Sequence, residues 1–179
     1  MFIPLIKKRR SIRRFLKRDV EPEKIELLIE AALRAPSSRG LNPWEFIVVT
    51  ERKTLESLST VKKHGSSFLK NANLGIVVCA DPEKCDVWVE DASIASIFIH
   101  LAALSLGLGS CWIQIRERPH NDTMTSEEYI SSLLNIPAKL KVESIVAVGY
   151  PDEEKPPHAK KELQYEKVHN NVYGTAFNL

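Results

Sequence analysis

The sequence predicts an α+β fold, a sheet of a few strands covered by helices. Three observations carry this. Helical and strand patterns alternate irregularly along the 179 residues, four short runs rich in β-branched and aromatic residues read as strands, and one long apolar helix occupies the middle. A regular doubly wound sheet is not indicated, because no G-x-G-x-x-G follows a strand and no G-x-x-x-x-G-K-[ST] occurs.

In "VEPEKIELLIEAALRAP", Pro22 suits a first helical position, Ile25, Leu28, Ile29 and Ala32 share one face, and Pro36 stops the helix. A polar loop "SSRGLNP" leads into "WEFIVVT", the first strand, and a short helix with Leu55, Leu58 and Val61 follows. "LGIVVCADP" is a buried strand ended by an Asp-Pro turn. The long helix then runs from about Val87 to Leu106, with "GLG" at 107–109 as its C-cap. "GSCWIQI" is the third strand. Thr125 and Glu128 form a T-x-x-E capping box for a helix reaching about Asn135, and "ESIVAVGYP" is the fourth strand. The tail from residue 150 to 179 is polar and Pro-interrupted, which suits a segment draped over the surface.

Length and composition set bounds on function. With 44% hydrophobic residues the chain can bury one full core and is too short for two comfortable domains, so residues 1–179 are expected to form a single domain. A net charge of +2 is too small for a strong polyanion binder, and no aromatic residues interleave with the cations, so no nucleic-acid partner is expected. The start "MFIPLIKKRR" reverses the order of a secretory signal, which points to the cytoplasm. No charge appears from Ala92 to Ile115, yet the helical part of that run ends near Gly107, about 15 residues against the ~20 a bilayer requires. It reads as a central helix covered by the rest of the domain or by a second subunit, with no membrane partner. Cys79, Cys85 and Cys111 lack metal-type spacing and read as buried thiols, without zinc or disulfide.

Two stretches carry chemistry. "KKRRSIRRF" puts six cations in nine residues. Such a run alone reads as a solvated surface, but R-R-S-x-R also sets guanidiniums and a hydroxyl around a turn, a combination suited to holding a phosphate dianion. The loop "APSSRGLNPWEF" reads as punctuation, or as hydroxyls and a carboxamide at a sheet edge able to hydrogen-bond a polar heterocycle.

Together, "RRSIRRF", "APSSRGLNPWEFIVV", "DASIASIFIHLAALSLGLGSCWI" and "VAVGYPDEEKPP", in this order over nearly the whole chain, resemble the FMN-dependent nitroreductase family. The resemblance implies a nitroreductase-like fold, a central and mostly antiparallel sheet of four to five strands flanked by helices. It also implies a homodimer with FMN at the subunit interface, and NAD(P)H as electron donor. Arg9, Arg10, Ser11 and Arg13 match the N-terminal FMN-binding motif, in which the first Arg and the Ser serve the phosphate and ribityl chain and the last cation lies near the pyrimidine edge. Pro36, Ser37 and Ser38 match a loop that reaches the cofactor from the other subunit, and Asn42 matches a segment near the flavin edge. Trp112, Ile113 and Gln114 match the strand end beside the ring, and Lys160 with Lys161 match C-terminal cations on the phosphate. Two departures stand out: Gln114 and Ile115 replace a Gly-Gly pair common in relatives, and Glu162 stands where an Arg often follows the tail Lys.

The implied activity is an oxidoreductase that passes reducing equivalents from NAD(P)H to a small nitro, quinone or similar acceptor in a ping-pong cycle. The flavin carries the chemistry, and no side chain is expected to act as acid, base or nucleophile. Reductive dehalogenation, flavin cleavage and a non-catalytic FMN carrier are the alternatives on the same scaffold. The loop between Ile115 and Thr125 is only about ten residues, which leaves the pocket open.

Overall fold

Pro22 sits in the first turn of a helix over Pro22–Leu33 (α2), where its missing N–H costs nothing, and the helix buries Leu28 and Ala32. In the computed structural model, which describes residues 1–177, it is preceded by a short helix over Phe2–Lys8 (α1). The remaining helices are Arg52–Ser59 (α3), Trp88–Ser105 (α4) and Ser126–Leu134 (α5). At the start of α5 the Thr125 hydroxyl accepts from the Glu128 N–H at 3.1 Å and the Glu128 carboxylate accepts from the Thr125 N–H at 2.7 Å, as the capping box requires.

The strands are Trp44–Val49 (β1), Leu74–Ala80 (β2), Gly109–Gln114 (β3) and Lys141–Gly149 (β4), in the order β1-β2-β4-β3 with every neighbour antiparallel. The two inner strands, β2 and β4, are buried along almost their whole length. Their apolar runs follow from helices covering both faces. On one face α2 and α4 bring Leu28, Ala32, Ile99 and Ala103 against Ile76, Val146 and Val148. On the other, α3 and α5 bring Leu55, Leu58 and Ile130 against Val77, Ile113 and Ile145. The result is the α+β sandwich that the irregular element order predicts.

One feature departs from the sequence expectation. Lys7 and Lys8 belong to α1 and not to an open cationic run, because the apolar residues before them let the first turns wind as a helix that rests on α4. The central helix spans 18 residues, Trp88–Ser105, within one residue at each end of the Val87 to Leu106 read from the sequence, and takes Glu90 and Asp91 into its first turn, where acidic groups complement the helix dipole. By length and composition alone α4 could span a bilayer. Here it lies on the sheet with Ala92, Ala95, Ile99 and Ala103 buried, and exposes Ile94, Ile97 and Phe98 along its outer face. Among its described residues the tail carries two three-residue 3-10 turns and is exposed almost throughout.

Candidate functional site

After α1 the backbone becomes extended at Arg9 and the chain runs along the open edge of β3. Ser11 bridges Ser110, the Ile12 N–H donates to the Ser110 carbonyl at 2.9 Å, and the Leu16 N–H donates to the Tyr150 carbonyl at 2.9 Å. Gly109 permits this approach. A Cβ there would stand 2.7 Å from Ile12 Cγ2, so a side chain would lift the segment off the strand.

This docking gathers cations. Lys8, Arg9 and Arg10 line a cleft of about 210 Å3 together with His100, Ser110 and Lys155. Residues 153–156 clamp the segment from the far side. The Glu153 carboxylate accepts the Arg13 N–H at 2.5 Å and the Arg14 N–H at 3.2 Å, Lys155 donates to the Ser11 carbonyl at 2.7 Å, and Arg10 donates to the Pro156 carbonyl. Lys155 also pairs with Glu153 at 3.1 Å, which spends much of that carboxylate's charge. The Arg13 guanidinium stands over the Phe68 ring, 5.8 Å from its centroid.

At the back of the cleft, Arg9 Nη1 lies 3.1 Å from His100 Nε2, and His100 Nδ1 makes a short hydrogen bond with the Ser110 hydroxyl. Burial, and then the charge of Arg9, lower the His100 pKa to about 4, so the imidazole is neutral at pH 7.

The outer edge of β3 offers backbone groups. Lys62 Nζ donates to the Gln114 carbonyl at 2.9 Å, so the Ser110 and Gln114 carbonyls both turn away from β4. By the two-residue period of a strand, the N–H and C=O of Trp112 face the same way, while Cys111 and Ile113 pair inward with Ala147 and Ile145. The Gln114 carboxamide is fixed by both ends, accepting from Trp112 Nε1 at 3.3 Å and donating to the Arg116 carbonyl at 3.3 Å. Burial, reinforced by Arg118, depresses the Lys62 pKa. Glu143, 3% exposed, has no hydrogen-bond partner for Oε2 among the described residues, and burial raises its pKa despite nearby Arg116.

The loop Pro36–Asn42 lies elsewhere. Ser37 Oγ donates to Asn42 Oδ1 at 2.6 Å, the Asn42 N–H donates back to Ser37 Oγ at 3.0 Å, and the Ser38 N–H donates to the buried Asp91 carboxylate at 2.9 Å. Arg39 and Asn42 both adopt positive φ, 56° and 47°. The loop feeds the start of β1, which pairs with the end of β2, whereas the cleft sits at the start of β3 and the end of β4. Within the chain they occupy opposite ends of the sheet, on opposite edges.

Of the residues singled out from sequence, the structure brings Arg9, Arg10 and Ser11 to the start of β3, with Arg13 next on the segment that Glu153 holds; Trp112, Ile113 and Gln114 lie further along the same strand and do not line the cleft, and Pro36, Ser37, Ser38 and Asn42 lie apart. Lys160 and Lys161 occupy an exposed 3-10 turn and do not line the cleft. Lys155 does, and sequence reasoning missed it, along with His100, Ser110, Glu153 and Lys62. The charged "PDEEKPP" run and a lone His in an apolar helix were the available signals. Among the described residues no cluster of His, Cys, Asp or Glu suits a metal ion.

The donor set fits a flavin nucleotide. Arg and Lys side chains only donate, five N–H per guanidinium and three per ammonium, which suits a phosphate dianion. The outward-turned Trp112 N–H and C=O, the carbonyl also accepting from Cys111 Sγ at 3.5 Å, suit the polar edge of a planar heterocycle.

The Nitroreductase family model matches residues 6–64 and 60–150. The chain is similar to the solved structure of an FMN-dependent nitroreductase from Clostridium difficile R20291, with 51% identity, a TM-score of 0.94, and coverage of 96% of this chain and 99% of that one. It is 41% identical over 157 residues to a protein of Archaeoglobus fulgidus provisionally named NADH dehydrogenase/NAD(P)H nitroreductase, covering 86% of this chain and 87% of that protein. An iodotyrosine deiodinase of Thermotoga neapolitana is 26% identical over 178 residues, with coverage of 91% and 95%.

Proposed function

The chain belongs to the nitroreductase family, and from that premise we propose that it is an FMN-dependent oxidoreductase taking electrons from NAD(P)H and delivering them to a small nitro, quinone or similar acceptor. The observation that carries this is the gathering of donor-only cations at the start of a strand whose outer edge is open. In this reading Arg9, Arg10, Ser11 and Lys155 hold the phosphate end. Trp112, Ile113 and Gln114 border the ring, and Arg13 faces its pyrimidine side. Lys160 and Lys161 keep only an outer, electrostatic role.

The bound flavin would supply the redox chemistry, accepting a hydride from reduced nicotinamide and returning the reducing equivalents to the acceptor in a ping-pong cycle. The chain's own residues bind, orient and set the field. Arg13 stabilises negative charge on the reduced ring, and the doubly tied Gln114 carboxamide presents a fixed dipole at the strand end.

The site is completed by a second copy. Pro36, Ser37, Ser38 and Asn42 are too far along the sheet to serve their own cleft, so they act on the partner's. Exposed Ile94, Ile97 and Phe98 on α4, with Phe2 and Ile3 on α1, supply apolar surface for a homodimer. Residues 1–179 then act as one FMN-binding unit, and three buried free thiols suit a cytoplasmic enzyme.

Purified protein reconstituted with FMN should show a bound-flavin spectrum and oxidise NADH or NADPH in the presence of a quinone or nitroaromatic. Absence of flavin binding would overturn the cofactor assignment. Flavin binding without acceptor reduction would leave a carrier. The similarity to a deiodinase favours a dehalogenation reading, at lower identity, and release of iodide from an iodinated phenol would establish it.

A further inference from the structure

Arg9 and His100 lie 91 residues apart in sequence, yet their side chains meet at 3.1 Å in a half-buried contact. A guanidinium cannot accept a hydrogen bond, so Arg9 donates and His100 Nε2 accepts. That fixes the ring's tautomer: Nε2 carries no proton, and Nδ1 does. Nδ1–H then donates to the Ser110 hydroxyl, which donates onward to the His100 carbonyl at 3.4 Å. The chain Arg9 to His100 to Ser110 to backbone runs in one direction, with every donor matched to an acceptor.

The same Ser110 holds the neighbouring backbone. Its carbonyl accepts the Ile12 N–H, and the residue bridges Ser11. One residue of β3 thus sets both the path of the cationic segment and, through His100, the aim of its first arginine. His100 is 7% exposed and Ser110 is 3% exposed, so water competes little for these bonds. Among the described residues the Arg9 side chain makes this one hydrogen bond, which leaves its other N–H groups for the cleft it lines.

From these contacts we propose that His100, oriented by Ser110, is a positioning residue that holds the Arg9 guanidinium ready for the phosphate of the flavin nucleotide. The proposal rests on the assignment of Arg9 to the phosphate. An unrestrained arginine loses rotamer entropy when it captures an anion, and a tethered one has lost most of it already. His100 must stay neutral for this, because a protonated ring would have no lone pair for Arg9. The charged groups facing it are Arg9 itself and the cleft's Lys8, Arg10, Lys155, Glu153 and Glu154.

The test compares two ligands that differ only in the phosphate. FMN and riboflavin affinities are measured by flavin fluorescence titration for wild type, Arg9→Gln, His100→Leu, His100→Gln and Ser110→Ala, with melting temperatures recorded for each. His100→Leu and Ser110→Ala should lower FMN affinity about tenfold while leaving riboflavin affinity unchanged, and His100→Gln, which keeps an acceptor, should recover much of the loss. Arg9→Gln should lose the preference for FMN altogether. If Arg9→Gln retains that preference, the phosphate assignment fails. If only Arg9→Gln loses it, the positioning role fails while the assignment stands. Imidazole 15N shifts of the flavin-free protein give an independent reading: a Nδ1-protonated His100 is expected, and a Nε2-protonated ring overturns the proposal even where a variant does not fold.

Discussion

Replacing Gly109 by Ala tests how the cationic segment is held. The added Cβ would meet Ile12 Cγ2 at 2.7 Å, Cβ at 2.8 Å and Cγ1 at 3.1 Å. Carbon atoms rest at about 3.5–4.0 Å, so the segment must withdraw by about 1 Å. A rotamer change offers no escape, because Ile12 is β-branched and one of the clashing atoms is its own Cβ. Withdrawal stretches the Ile12 N–H bond to Ser110, now 2.9 Å, beyond useful length. Overpacking costs about 1–3 kcal/mol and the lost hydrogen bond about 1, against which a stiffer unfolded chain returns about 0.4–1. The net loss of about 1–3.5 kcal/mol should lower the melting temperature by roughly 2–14 °C in a chain of this size. In an Ile12→Gly background none of the three contacts remains, and the same substitution should cost under about 1 kcal/mol. Melting within about 1 °C of wild type, or an equal cost in both backgrounds, would refute the close-approach argument.

Three further outcomes are expected. Arg13→Gln keeps hydrogen-bonding capacity and removes the charge, so a dye-equilibrated titration should show the flavin midpoint lowered by several tens of millivolts, where ~30 mV corresponds to about 1.4 kcal/mol in a two-electron couple; an unchanged or raised midpoint would assign the ring-facing charge to another residue. Ile97→Glu places a carboxylate on the outer face of α4 and should shift sedimentation from a dimer toward the 20.3 kDa protomer with loss of FMN, whereas a wild-type monomer that binds FMN fully would contradict the dimer. His100, whose pKa falls from 6.5 to about 4 on folding, binds its proton more readily in the unfolded chain, so its contribution to stability is full above about pH 6.5 and is lost as pH falls through 4; denaturant melts of His100→Gln should lack that part of the acid decline.

The elements were legible because each has a local signature: Pro22 at the start of α2, the Thr125–Glu128 box at α5, and the β-branched runs of β1 and β2. The strand order was not, since it depends on pairings such as Gly109 with Gly149 that no window of sequence contains. The site divides the same way. Arg9 to Arg13 announce themselves as a charge cluster, while Lys155 reaches Ser11 across 144 residues, and its role exists only once β4 has carried the chain back. The seven-residue α1 was missed because its last turn, Lys7 and Lys8, reads more strongly as part of the cationic run than as a helix end.

The long reach of that clamp bears on the order in which the protein can be completed during synthesis. The segment that lies on β3 is made 144 residues before Lys155, which holds it from outside. At roughly 5–20 residues per second, Ser11 waits between about 7 and 30 s for Lys155 to appear. Throughout that interval the arginines have no cleft to line, and the nascent chain carries an undocked polycationic arm beside the anionic surface of the ribosome. Phosphate recognition by this segment depends on residues 153–156, so cofactor capture belongs after they have docked and cannot guide the early steps of folding.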